Sequence, residues 1–153
     1  MKKIIITLAA VVMPSLIFAQ SAFDKFQDKE GIGVVLVNKG MLDLIGGIQA
    51  PAGGEKAQKL IDQVNNLDNI RIFTTSKSKY IKEMRSAVTD YLKQNPLEQL
   101  MSVTDEGSKV KIYVKPGSTP SQIKEFLLFV EDNEDKEVVL ISFTGNINLN
   151  DLK

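Results

Sequence analysis

Hydrophobic and polar positions along the chain fall into runs with a period near two and runs with a period near 3.6. Residues 32–37 (IGVVLV) form a continuous, β-branched apolar run, which predicts a strand buried on both faces. Residues 39–48 set Met41, Leu42, Leu44, Ile45 and Ile48 at helical spacing. After a loop at 49–54 (QAPAGG), residues 55–65 set Ala57, Leu60, Ile61 and Val64 on one stripe. Residues 69–75 (NIRIFTT) are β-branched and aromatic and predict a second strand. A helix over 79–94 follows, with Ile81, Met84, Val88 and Tyr91 or Leu92 facing inward. Ser76 or Ser78 can cap it, and Asn95–Pro96 stops it.

Residues 97–105 and 109–115 predict a hairpin, with Gly107 in the Asp105–Ser108 turn supplying positive φ. Its second arm alternates strictly. Lys109, Lys111, Tyr113 and Lys115 are expected on a wet face and Val110, Ile112 and Val114 on a packed one. Thr119, Pro120 and Gln122 fit the N-cap, N1 and N3 positions of a capping box. Ile123, Phe126, Leu127 and Val130 then lie at i, i+3, i+4 and i+7, so the spacing predicts a helix over 119–130. Residues 136–144 (KEVVLISFT) read as the last strand, and this run and 32–37 are the two candidates for the sheet centre. A short helix at 21–28 carrying Phe23 and Phe26, and a turn at 149–152, complete the chain.

The resulting order is α-β-α-α-β-α-β-β-α-β. Two stretches have the length of right-handed crossovers between parallel strands, and one pair is an antiparallel hairpin. The expected class is α+β: a mixed five-stranded sheet with helices packed mainly on one face, a ferredoxin-like variant among the possible plans.

The first twenty residues alter where this fold is placed. Lys2 and Lys3 precede an apolar stretch at 4–18 that ends in the small residue Ala19, which is the layout of a secretory signal peptide. That stretch is shorter than the roughly 20 residues a spanning helix needs, and Pro14 interrupts it. The expected organisation is a signal peptide at 1–19 and a single domain at 20–153, exported, with no transmembrane segment after cleavage. Nineteen basic and nineteen acidic residues balance over the whole chain. Removing the two leader lysines leaves a slight negative excess, so nothing points to nucleic acid. The chain contains no His and no Cys. That excludes disulfides, thiol nucleophiles and thiolate metal sites, and removes the commonest general base and zinc ligand. Without a Cys after the leader, the chain is not expected to be a lipoprotein.

The pieces in order resemble a known family, the domain of unknown function 4252, whose members are small exported proteins of Bacteroidetes. The likeness rests on Phe18–Gln20, Phe23-Asp24-Lys25-Phe26, Gly33–Val37 followed by Met41, Ile72–Thr75, and the closing stretch Leu140–Leu149. The resemblance implies an envelope or periplasmic setting in a Gram-negative cell. It implies no activity, cofactor or catalytic residue.

Ser76–Lys79 and Ser121–Lys124 match the Ser-x-x-Lys spacing of serine acyl-enzymes, but the partner motifs are absent. The Gly-rich stretch at 47–56 lacks the spacing of a phosphate loop. The acids at 131–137 read as a solvated helix end, although acids there oppose the macrodipole. The candidate interaction surface is Lys109, Lys111, Tyr113 and Lys115, with Tyr113 a possible anchor among lysines. A weaker basic patch comprises Arg71, Lys77, Lys79, Lys82 and Arg85. The expected function is that of an exported, non-catalytic binding module of the cell envelope, with no catalytic residues, metal or cofactor. Its partner would be an envelope protein, peptide or surface component. The alternatives are an exported serine hydrolase using Ser121 and Lys124, and a periplasmic regulatory sensor.

Overall fold

The computed structural model describes residues 22–46 and 54–152. The leader at 1–19 and most of the loop at 49–54 lie outside the described residues. The elements are β1 (Gly33–Asn38), α1 (Lys39–Gly46), α2 (Gly54–Asn65), β2 (Leu67–Thr75), α3 (Ser78–Gln94), β3 (Glu98–Asp105), β4 (Ser108–Pro116), β5 (Gln122–Asp132) and β6 (Glu137–Asn148). Short 3-10 turns occupy Asp24–Phe26 and Leu149–Leu152.

The strands form one six-stranded sheet in the order β1-β2-β6-β5-β4-β3. Every neighbouring pair is antiparallel. This overturns the expected mixed five-stranded sheet and its parallel crossovers. The decisive difference is the stretch expected as a helix over 119–130, most of which is β5. Its core, Phe126–Val130 (FLLFV), is apolar at every position and therefore satisfies a helical stripe and a two-sided strand equally. Pairing on both sides decides for the strand: residues 122–132 bond to β4 and to β6, and Glu125, Leu127, Phe129 and Glu131 turn inward on one face, where Tyr91 and Arg85 engage the two carboxylates. The apparent capping box is the β4–β5 connection instead. The Gln122 N–H donates to the Thr119 carbonyl at 3.0 Å, and the Gly117 N–H to the Gln122 carbonyl at 2.7 Å.

The acids at 131–137 cease to be anomalous once the helix is gone, because they form the β5–β6 hairpin turn. Asp132 Oδ1 accepts the N–H groups of Glu134 and Asp135 at 2.9 and 3.2 Å, and Lys136 takes φ 52°. The β3–β4 turn has positive φ at both Glu106 (40°) and Gly107 (93°), the two-residue geometry that suits the strand twist. The run at 32–37 is not a sheet centre. It forms edge strand β1, where Val35 and Leu36 are 52% and 47% exposed.

Helices lie on both faces, not mainly on one. Met84, Ala87, Val88 and Tyr91 of α3 pack with Phe73, Leu127, Phe129, Val138 and Leu140. Phe23 and Phe26, from the first 3-10 turn, close this core against Tyr91 and Phe73, with ring centroids 5.2 and 6.0 Å apart. Removing a ring such as Phe73 from this core costs about 3–5 kcal/mol. On the opposite face α1 and α2 cover only one end. Leu42, Leu67 and Ile147 form a second, smaller cluster there with Val37, Val64, Ile70 and Phe143.

Gly145 makes that end possible. The pairing of β6 with β2 and with β5 is irregular beside it, between Leu67 and Asn69 and between Ile123 and Glu125. The shift turns Ile123 and Ile147 toward the α2 side. A Cβ on Gly145 would sit 2.4 Å from the Asn66 carbonyl oxygen and 2.7 Å from Leu67 Cα, both backbone atoms that cannot swing away. Gly145→Ala is therefore expected to lower stability by roughly 1–3 kcal/mol or more, read as an earlier midpoint in urea unfolding; an unchanged midpoint would contradict the close approach.

Candidate functional site

Strand β4 divides its side chains between the two faces of the sheet. Lys109, Lys111, Tyr113 and Lys115 face α3, while Val110 and Ile112 point to the other face. The face expected to be wet is thus partly covered by the long helix. Tyr113 is half-buried and packs against the main core, so it is not an exposed anchor. Burial pushes the Tyr113 phenol above its ordinary pKa.

Arg85, from the weaker basic patch, meets the β4 residues across a groove of about 480 Å³ lined also by Val88, Leu92 and Phe129. Its guanidinium is tethered to Glu131 Oε1, with Nε and Nη2 each at 2.6 Å. The rest of that patch does not join it. Arg71 is ion-paired with Asp24 on the first 3-10 turn. Lys77 is the α3 N-cap residue, with no side-chain cap from Ser76 or Ser78. The Lys79 ammonium lies 5.6 Å from the Tyr80 ring centroid. Lys82 borders a separate shallow groove beside Glu131. Lys115 stands opposite Glu125.

Ser121 and Lys124 do not occupy a helix N-terminus. Ser121 is in the β4–β5 turn, with its hydroxyl 3.3 Å from that of Thr119, and Lys124 is an exposed strand residue. The helical frame on which a serine–lysine pair depends is absent there.

The site missed by sequence reasoning lies on the other face. Phe126 and Phe143, opposite one another on β5 and β6, stack with centroids 4.5 Å apart and planes 5° from parallel. They border a cleft of about 560 Å³ between α2 and β3, together with Val64, Leu100, Met101 and Ile112. Among the described residues Gln63 is the single polar side chain on its wall. Leu100 and Met101, at the irregularity in the β3–β4 pairing, are 57% and 41% exposed on the rim. The strict alternation of 109–115 marked two faces, but not which of them a helix would cover.

One buried polar pair sits under α3. The Tyr91 hydroxyl donates to Glu125 Oε1. Burial, then the neighbouring carboxylate, pushes Tyr91 far above the ordinary tyrosine range. Burial also raises Glu125, opposed by the Tyr91 hydrogen bond and the Lys115 charge. Among the described residues no group of three or more carboxylates is arranged to hold a metal, and no helix is long and apolar enough to cross a membrane.

Comparison with known families decides the classification. The model of the family described as a domain of unknown function, DUF4252, matches residues 26–153. This chain belongs to the DUF4252 family. No curated protein and no solved structure matches it. The matched span of the DUF4252 domain includes both grooves and the Tyr91–Glu125 pair.

The raised Glu125 carries a definite pH signature. A carboxyl whose folded pKa exceeds its unfolded value holds its proton longer in the native state. Its ionisation therefore lowers stability as pH rises from the ordinary carboxyl range through the folded pKa. Glu125→Gln keeps an acceptor for Tyr91 without the charge. It is expected to unfold at higher temperature than the parent near pH 7, with the difference vanishing below about pH 4. A parent that gains stability relative to the variant on raising the pH would contradict the direction.

Proposed function

We propose that this DUF4252 protein is a non-catalytic binding module of the cell envelope, and that the cleft over Phe126 and Phe143 seats the hydrocarbon chain of an envelope lipid. The observation that carries the reading is the cleft's lining, among the described residues ten apolar side chains and one glutamine. A peptide laid there would bring N–H and C=O groups that this wall cannot satisfy, at a cost of about 1–3 kcal/mol each. A hydrocarbon chain asks for none. The volume, about 560 Å³, falls within the usual range for small-molecule sites. Met101 on the rim adapts its shape readily. Export by the leader would bring the protein to such lipids, which supports the envelope setting.

The size of the effect sets the test. Each buried methylene contributes about 0.8 kcal/mol, so two added carbons strengthen binding roughly tenfold until the cleft is full. Neutral monoacylglycerols of increasing chain length, kept below their micelle concentrations, are titrated into the purified protein by calorimetry. Affinity is expected to climb steeply with chain length and then level off. Leu100→Glu with Met101→Glu, both at exposed positions, is expected to weaken binding at least thirtyfold with an unchanged circular dichroism spectrum. Affinity independent of chain length, or indifferent to the double substitution, would overturn the proposal.

A further inference from the structure

The groove on the α3 side differs from the apolar cleft in chemistry as well as position. Its floor is apolar, made by Val88 and Leu92 of α3 and Phe129 of β5, with the Tyr113 ring beside them. Its walls carry three cations, Arg85, Lys109 and Lys111, against one carboxylate, Glu131. Glu131 is buried and already engaged by Arg85. Neither Lys109 nor Lys111 forms an ion pair among the described residues. Both project from the same face of β4, about 7 Å apart along the strand. The groove thus joins an apolar floor to two lysines that form no ion pair among the described residues, Lys109 standing cross-strand from Glu131, and to a guanidinium tethered to that same carboxylate.

We infer that this groove is a second binding site, for a small organic anion with an apolar body, such as an aryl or alkyl carboxylate. The body would lie on Val88, Leu92 and Phe129, and the carboxylate would meet Lys109 and Lys111. The Tyr113 hydroxyl, protonated near neutral pH as an ordinary phenol is, can donate to the same anion. An inorganic anion would leave the apolar floor in water, and a neutral ligand would leave the lysine pair without a counter-charge. Both therefore bind less well than a molecule having both parts. This site is on the opposite face from the lipid cleft and does not depend on it.

The test follows backbone amide shifts of the isotopically labelled protein on titration with phenylacetate, with 2-phenylethanol as its neutral counterpart, and with inorganic phosphate. Phenylacetate is expected to saturate and to shift amides near Val88–Leu92 and Lys109–Tyr113. The alcohol and phosphate are each expected to bind at least tenfold more weakly. Lys111→Glu is expected to lower phenylacetate affinity at least tenfold with the rest of the spectrum preserved. Lys111→Gln, the milder change, is expected to produce an intermediate loss and serves if the first variant does not fold. Equal binding of the alcohol, equal binding of phosphate, shifts centred on Phe126 and Phe143, or no response to substitution at Lys111 would each overturn the inference.

Discussion

A six-stranded sheet with apolar side chains on both faces has more surface to cover than the described residues have helix. The sheet is about 24 Å across its strands, and α3, with 17 residues, is about 25 Å long. One such helix, helped by the first 3-10 turn, serves one face. Among the described residues the other face receives only α1 and α2, gathered at the end where Leu42, Leu67 and Ile147 meet. The rest of that face, including Val110, Ile112, Leu128 and Ile141, remains partly open. This inequality between the faces sets the location of the apolar cleft.

Each face also has its own chemistry. Under α3 the apolar core is interrupted by polar groups that need partners: Glu125 meets Tyr91, and Glu131 meets Arg85. Where α3 stops short of β4, lysines remain beside apolar residues and an amphipathic groove results. On the opposite face the irregular pairing beside Gly145 turns Ile123 and Ile147 toward Phe126 and Phe143, so the opening there is almost wholly apolar. Edge strands β1 and β3 extend the contrast, since both expose large apolar side chains. Such edges and patches are commonly kept small in proteins that act alone.

Much of the local structure was legible in the residues, and the global arrangement was not. The hairpin at 97–115 follows from Gly107 and strict alternation, and the helix at 78–94 follows from its stripe. Both are local signals. The error over 122–132 arose because FLLFV fits two periods and because Thr119-Pro120-Ser121-Gln122 serves a turn as well as a cap. Reading that segment as a helix removes a strand and creates one of the two expected parallel crossovers; the other fails separately, because β1 and β2, joined through α1 and α2, pair with each other antiparallel. The run at 32–37 was apolar enough for a central strand, yet its neighbours place it at an edge. The alternation marks Lys109, Lys111 and Tyr113, but their meeting with Arg85 depends on how α3, which ends at Gln94, packs back over β4. The apolar cleft was hidden for the same reason: alternation separates two faces without saying which one tertiary packing will cover.

The most direct test of the unequal faces is the attenuation of methyl resonances by a soluble paramagnetic agent. Unequal coverage predicts strong attenuation for Val35, Ile112, Leu128 and Ile141, and protection for Leu127, Val138 and Leu140 under α3. Equal protection of the two groups, or protection of the first and attenuation of the second, would contradict it.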